Sequence, residues 1–556
     1  MVTAGYIAIG LSSAILVAVF IVALVRHGFL VALRMAAQAF FLLGFLFLLT
    51  QAVAPIEGYL ALNGVLPVDL FMRLSPLLAI SAMLAGRVMI AAMLLSLVTL
   101  ATAAVAGRWF CGWVCPLGTT FDVADKALFT KIERPSTRDA KLRSAKHLLL
   151  AGILAAGVFG VQVAGWFDPM SIVTRSYAVV VLPTADRAAK AVLEEPAGSA
   201  SVRAKAPALA ASARKTEDAL KDLSILYDQD HYYYQLGTFA LILAALIGAQ
   251  AYQKRFWCRK LCPLGAMLGI VGKWRPLGVR LDDAKCIDCG KCRKICPVGA
   301  IQGKGLSPEE CTLCGSCVRP CPVDALSVRL GGAKSQAAAP AVLPGRRVFL
   351  AATAAGVASA PLLMVGGERQ AAQARVIRPP GAQDEERFLD ACVRCGECMK
   401  ACPTNALHPT GFQAGLSGLW TPRIVPVIGY CDYNCLSEDA KVGNFCSTVC
   451  PTGAIKKLTP QEHRTVPRGT AYFRTDKCIP YVERVNCSVC SEHCPVPSKA
   501  IRNEEVEVVD FYSSEKRKIL RPYVVNFHCI GCGQCENVCP LKGEKGIRVE
   551  PPRAAV

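Results

Sequence analysis

Four segments of this chain repeat one spacing, CxxCxxCxxxCP: CIDCGKCRKICP (286–297), CTLCGSCVRPCP (311–322), CVRCGECMKACP (392–403) and CIGCGQCENVCP (529–540). The spacing allows few folds. Three thiolates at two-residue gaps wrap one corner of a 4Fe-4S cubane, while the fourth lies too far along and ligates the neighbouring cluster. Gly290, Gly315, Gly396 and Gly533 permit the tight turn that lets backbone amides approach the sulfurs. The proline after the last cysteine supplies no competing amide and ends the wrap. Zinc also uses CxxC pairs, but it explains four complete runs with a trailing proline poorly.

The first two runs are close in sequence and pair as a compact twin-cluster module. Cys286, Cys289, Cys292 and Cys321 hold one cluster and Cys311, Cys314, Cys317 and Cys296 the other. Two looser motifs lie between the third and fourth runs and read as ferredoxin runs with insertions: Cys431, Cys435, Cys446 and Cys450, then Cys478, Cys487, Cys490 and Cys494. A nested pairing is expected, with Cys392, Cys395 and Cys398 joined by Cys539, and Cys529, Cys532 and Cys535 joined by Cys402. The inserted motifs then exchange Cys494 and Cys450 between themselves. The chain also repeats after the terminal cysteine, as CPVGAI, CPVDAL, CPTNAL and CPTGAI.

Four of the 28 cysteines remain. RWFCGWVCPLG (108–118) and RFWCRKLCPLG (255–265) form a second repeat, each following an apolar stretch. Cysteines four apart lie on one helical face, so Cys111, Cys115, Cys258 and Cys262 can converge as four thiolates. A seventh cluster would account for every cysteine; a redox-active or structural dithiol pair is the alternative.

Residues 4–25, 35–54, 88–106, 148–165 and 236–252 are apolar runs long enough to cross a hydrocarbon core, and 67–86, with Asp69, Arg73 and Pro76, reads as an interfacial helix, a sixth span being the alternative. Lys and Arg fall in the connections after the first, third and fifth runs, which orients those connections to the cytoplasm and the 166–235 loop to the other side. Within that loop, 185–223 reads as a surface helical hairpin and Tyr232, Tyr233 and Tyr234 suit a headgroup belt. Lys+Arg exceed Asp+Glu by 20. Cytoplasmic loops and the negative charge of the clusters, about −2 each, absorb most of that excess, so nucleic acid is not expected as a partner.

Further on, GRRVFLAATAAGVASAPLLMVGG (345–367) followed by Ala372-Gln373-Ala374 has the layout of a twin-arginine export signal, although it lies inside the chain. On that reading 348–365 crosses the membrane and everything after about 375 is outside; a linker helix in a cytoplasmic tail is the alternative. The expected fold class is multidomain, α plus α+β: a polytopic α-helical membrane bundle (1–275), a cytoplasmic twin 4Fe-4S module (276–330), a linker with an anchor helix (331–380, helix 346–365) and a four-cluster ferredoxin-like domain (381–556).

The paired CxxxCP motifs, WFDPMSIVTR (166–175) and the twin-cluster tail resemble the NapH membrane subunit of quinol dehydrogenases. RRVFL followed by four cluster motifs, two with insertions, resembles its exported partner NapG and the related MauM proteins. The departure is that both halves occur in one chain, with an extra first span. The resemblance implies a protein of the bacterial inner membrane that oxidises quinol and relays electrons through six or seven 4Fe-4S clusters to a periplasmic cytochrome or reductase, alongside other subunits of a membrane complex. It places Asp168 and Arg175 at the quinol site; a helix-capping role before Pro169 and an interfacial arginine explain the same two residues without function. A maturation factor supplying electrons for metal-centre assembly, or cytoplasmic transfer from reduced ferredoxin, are the competing functions.

Overall fold

The computed structural model describes residues 28–52, 67–130, 141–198, 207–222, 226, 230–302, 305–331, 346–364, 376–435, 443–509 and 515–551. The chain divides into two units, one built from residues up to Leu362 and one from Leu363–Val556 together with the short segments Ala52–Tyr59 and Gln229–Gln235.

The first unit is helical: α1 (Phe29–Thr50), α2 (Pro76–Gly86), α3 (Ser96–Ala106), α4 (Pro116–Leu128), α5 (Ala145–Val158), α6 (Pro169–Ser176), α7 (Leu182–Gly198), α8 (Pro207–Asp222), α9 (Leu236–Tyr252) and α10 (Pro263–Val271). Among the described residues one helix, α1, is long and apolar enough to cross a membrane, with mean hydropathy 2.0. Its 22 residues rise about 33 Å. The other expected spans form shorter helices. Residues 88–106 open with a 3-10 turn at Ala91–Leu95 before α3, and α5 stops at Val158, ahead of Gly160 in the left-handed region (φ 77). α9 has 17 residues. The 4–25 run lies outside the described residues. Residues 67–86 do not form an interfacial helix: Leu77, Leu78, Ala79 and Ala82 of α2 are buried in the unit, and the helix starts sharply because Ser75 accepts from the Leu78 amide with Pro76 at its first position.

The twin-cluster module belongs to this same unit rather than forming a separate domain at 276–330. β1 (Leu277–Leu281) pairs antiparallel with β2 (Leu326–Leu330), from Leu277↔Leu330 to Leu281↔Leu326. This closes the module's two ends over a core of Val279, Val298, Ala300, Ile301, Leu313 and Leu326.

The helix α11 (Arg346–Met364) precedes the second unit. That unit has short strand pairs, β3 (Leu407–Pro409) with β4 (Pro422–Ile424) and β5 (Thr470–Phe473) with β8 (Ile547–Glu550), plus a hairpin of β6 (Ile501–Val509) and β7 (Lys516–Val524). With so little regular structure, the cysteine loops carry most of the fold. Ala372-Gln373-Ala374 lies outside the described residues.

Candidate metal centres

The cysteine loops share a backbone that spacing alone does not disclose. In each CxxC of the four full runs the residue before the second cysteine lies in the left-handed region: Asp288 (φ 49), Leu313 (φ 50), Arg394 (φ 54) and Gly531 (φ 65). The glycine after that cysteine does the same, from φ 69 at Gly290 to φ 87 at Gly533. Two left-handed turns per run bend the chain around whatever the thiols hold.

The repeat after the terminal cysteine now has a physical reason. Gly299 (φ 62), Asp324 (φ 47), Asn405 (φ 51) and Gly453 (φ 67) occupy one position, three residues past the cysteine, and Gly, Asp and Asn are the residues that tolerate it. The turn aims the next amide back at sulfur. Ala300 donates to Cys296 Sγ, Ala325 to Cys321 Sγ and Ala406 to Cys402 Sγ, each at 3.3 Å.

Among the described residues, four cavities are ringed by cysteines. The first is lined by Cys286, Cys289, Cys292 and Cys321, the set expected from spacing. Cys296 lies in electrostatic range of Cys311, Cys314 and Cys317, which completes the module's second set. In the second unit the nested pairing is wrong. One cavity is lined by Cys392, Cys395, Cys398 and Cys450, another by Cys402, Cys431, Cys435 and Cys446, and a third by Cys478, Cys487, Cys490 and Cys539. Cys529, Cys532 and Cys535 therefore pair with Cys494, whose charge acts on Cys532. Each run exchanges its last cysteine with the next motif in sequence, because closing a short loop costs less chain entropy than enclosing two motifs inside a third.

These donors fit 4Fe-4S groups. Among the described residues no three His, Cys, Asp or Glu side chains are drawn in to the spacing of a single ion; the thiols ring cavities instead. Burial pushes Cys431 up to about 12 and Cys490 up to about 12, so both are thiols near neutrality until a metal replaces the proton.

The CxxxCP cysteines also converge, though not along one helical face. Each motif breaks a helix: Cys111 and Cys258 lie in the short helices Trp109–Trp113 and Phe256–Lys260, while Cys115 and Cys262 are extended and cap α4 and α10, with proline at the first helical position. The Gly265 amide donates to Cys262 Sγ at 3.3 Å, so a thiolate formed there on binding a metal would sit at a helix N-terminus, where the dipole favours it. All four are buried. Burial raises the proton affinity of Cys115, Cys258 and Cys262, and Cys111 raises each further.

Two arginines complete this site in trans. Arg108 Nη2 donates to the carbonyl of Cys258 and Arg255 Nη1 to that of Cys111, both at 2.9 Å. Each precedes its own motif by the same interval and clasps the opposite one. Gly118 and Gly265 make room: a Cβ there would lie 2.8 Å from the Cys111 carbonyl and 2.5 Å from Arg108 Nη2. Asp122 anchors Arg255 at 2.7 Å. Burial opposes its ionisation, but Arg255 and Arg34 hold its carboxyl down at about 2.

Glu310 anchors Arg108 at 2.6 Å and also meets Lys146. Burial raises the carboxyl's proton affinity, and the two cations outweigh it to leave the pKa below the ordinary range. Glu310 immediately precedes Cys311, so the CxxxCP site and a ferredoxin ligand loop share one buried ion network. Trp113 Nε1 donates to the Leu313 carbonyl at 3.3 Å, Arg275 to that of Cys311 at 2.9 Å, and a Cβ on Gly112 would lie 2.9 Å from the Thr312 carbonyl.

Asp168 and Arg175 have structural duties. The Asp168 carboxylate caps α6, accepting from the Met170 and Ser171 amides at 2.9 and 3.3 Å and from Ser75 Oγ at 2.8 Å. Arg175 donates to the Gly165 carbonyl and lies over the Phe239 ring.

Of the tyrosines expected in a headgroup belt, Tyr233 packs elsewhere, while Tyr232 and Tyr234 are exposed. Residues 230–235 are part of the second unit: Tyr233 is buried and donates to the Met399 carbonyl at 3.2 Å, the His231 ring approaches the Cys402 carbonyl at 3.3 Å, and Asn405 donates to the Tyr232 carbonyl at 2.9 Å. The Tyr233 hydroxyl thereby sits in range of Cys398 and Cys402, which belong to adjacent ligand sets.

Comparison with known proteins agrees with this geometry. A 4Fe-4S binding domain model matches residues 88–135, 236–281 and 444–459, a second matches 279–302, 306–327 and 387–408, and a 4Fe-4S dicluster domain model matches 485–542. The methylamine utilization ferredoxin-type protein MauM of Paracoccus denitrificans is 38% identical over 182 residues, 32% of this chain and 72% of that protein. The ferredoxin-type protein NapG of Escherichia coli is 33% identical over 212 residues, 37% of this chain and 86% of that protein. The putative electron transport protein YccM of Escherichia coli is 26% identical over 242 residues, 42% of this chain and 52% of that protein. No solved structure matches the chain.

Proposed function

Because this chain belongs to the MauM and NapG ferredoxin-type iron-sulfur proteins, which transfer electrons through several 4Fe-4S clusters, we propose that it is a membrane-anchored quinol dehydrogenase serving a periplasmic redox partner such as a cytochrome or reductase. Each cluster, when bound, takes up and gives back one electron at a time. The four-cysteine sets would hold six clusters, and Cys111, Cys115, Cys258 and Cys262 a seventh.

One observation carries the reading. The CxxxCP cysteines lie at the ends of apolar helices and share the Arg108–Glu310 ion pair with the Cys311 loop, so the helical part joins the electron path instead of serving only as an anchor. A helix of α1's length and apolarity supports anchoring. The polytopic bundle, completed by the shorter apolar helices and the 4–25 run, is part of this proposal, as are the cytoplasmic twin-cluster module and the exported second unit. Asp168, with Ser75 on one oxygen, is the carboxylate offered to a quinol proton, and Arg175 the cation on the same helix.

The test is anaerobic mixing of the purified full chain with menaquinol or ubiquinol. Bleaching of the visible cluster absorbance on mixing supports the reading. Absorbance that stays unchanged with quinol but bleaches with dithionite would leave electron delivery for metal-centre assembly, or transfer from reduced ferredoxin, as the function.

A further inference from the structure

The second unit consists of two twin-cluster halves, and they meet at one buried arginine. Its first half holds the sets containing Cys392 and Cys431, its second those containing Cys478 and Cys532. Across the junction the amide of Cys431 donates to the carbonyl of Cys532 at 2.8 Å, and the amide of Arg468 donates to the carbonyl of Ile530 at 2.9 Å. Arg468 is 3% exposed. Its Nη2 is taken by His463, through the backbone carbonyl at 2.5 Å and the ring at 3.1 Å, and His463 in turn donates from Nε2 to the Asp432 carbonyl at 2.9 Å.

Two donors of Arg468, Nε and Nη1, are buried with no hydrogen-bond partner among the described residues, and no carboxylate there pairs with the charge. A desolvated guanidinium with open donors is costly unless an anion faces it. Arg468 lies within electrostatic range of both Cys431 and Cys532. A 4Fe-4S cluster with four thiolates, at about −2, is an anion of the required kind, and its sulfurs are acceptors.

We propose that Arg468 donates Nε–H and Nη1–H to the sulfurs of the clusters that meet at Cys431 and Cys532, and so sets the potential of the step by which one electron leaves one half and enters the other. This rests on the cluster reading given above. A fixed cation favours the more negative, reduced form, so Arg468 raises the potential on both sides of the junction and leaves the two outer sets, which it does not touch, where their own loops put them.

The experiment is an EPR-monitored redox titration of the full chain and its Arg468→Gln variant, with iron determined on the same samples. With full iron, Arg468→Gln is expected to lower the potentials of two clusters by at least a tenfold change in redox equilibrium, about 59 mV for one electron, and to leave the others in place. Arg468→Lys keeps the charge but loses the fork, so it should lower the same two by less. If Arg468→Gln fails to retain iron, Arg468→Lys decides: lowered potentials confined to two clusters support the proposal. Wild-type potentials in an iron-replete variant, or an equal shift of every cluster, overturn it. Wild-type protein without iron would instead overturn the cluster reading beneath it.

Discussion

The amide of Cys431 is hydrogen-bonded to the carbonyl of Cys532 across 2.8 Å, joining two ligand sets whose cysteines are about a hundred residues apart. Gly531 makes the junction possible. Its φ is 65, and a Cβ there would lie 2.3 Å from the Gly469 carbonyl. Gly531→Ala should therefore displace the segment that carries Arg468 and Gly469 into β5. A loss of about 1–3 kcal/mol is expected from the strained backbone alone, read as a lower midpoint for bleaching in guanidinium. An unchanged midpoint would show that the junction contributes nothing to the unit.

If the CxxxCP thiols hold a cluster, the chain carries about 28 iron atoms, seven cubanes of four. Cys258→Ser should reduce that to about 24 and leave the signals of the other six. Full iron in Cys258→Ser would make those four cysteines dithiols, the alternative that their spacing left open.

Glu310 faces two buried cations, Arg108 and Lys146. Removing its charge strands both. Glu310→Gln is expected to cost about 3–5 kcal/mol, the penalty of breaking a buried pair, and the seventh cluster should be the first lost on warming because Arg108 also holds the Cys258 carbonyl. Thermal loss of all clusters together, at the wild-type midpoint, would contradict this.

Asp168 allows a cleaner separation of roles than most buried acids. Asparagine caps helices as well as aspartate does, so Asp168→Asn should keep α6 while removing the proton acceptor. Quinol-driven reduction is expected to slow at least tenfold, with dithionite reduction unaffected. Equal rates with quinol would assign Asp168 to capping alone.

His408 is fully buried, with Nε2 2.9 Å from the Asn405 carbonyl and the Tyr233 and Tyr234 rings at 5.4 and 5.7 Å. Burial, then Arg423, depresses its pKa from 6.5 to about 4. As pH falls below 6.5 the unfolded chain binds a proton that the native site refuses, so stability drains away until about pH 4, by about 1.4 kcal/mol per unit at most. The rate of acid bleaching should rise over that window and rise less in His408→Gln. An identical profile in the variant would remove His408 as a cause.

The ligand residues were legible because cluster chemistry is local: three thiols, a glycine turn and a proline write it into twelve residues. Which run supplies the fourth thiol depends on loop closure between motifs, and the nested expectation failed there. CxxxCP was misread as one helical face because Pro116 and Pro263 start new helices instead of continuing old ones. The amide-to-sulfur bonds of Ala300, Ala325 and Ala406 were foreshadowed by the Gly, Asp or Asn before each alanine, a signal whose conformational meaning was missed. Nothing near Tyr233 announces Met399, 166 residues away.

That same contact bears on which side of the membrane the second unit occupies. Residues 230–235 belong to the unit and run directly into α9. A loop between two membrane helices faces one side, so on the proposed topology the unit must share the side of the 166–235 loop. The twin-cluster module is expected on the opposite side, which on the proposed topology requires the chain to cross between 331 and 376; the proposal places that crossing at α11, whose apolar stretch, Arg347–Ala358, is shorter than that of α1. A protease site inserted at 199–206 and a tag after Val556 should therefore be cut together from outside in spheroplasts, while a site at 283–285 stays protected. Cleavage at 199–206 with a protected C-terminus would mean that α11 does not cross and that the Tyr233 contact cannot form in the membrane-bound protein.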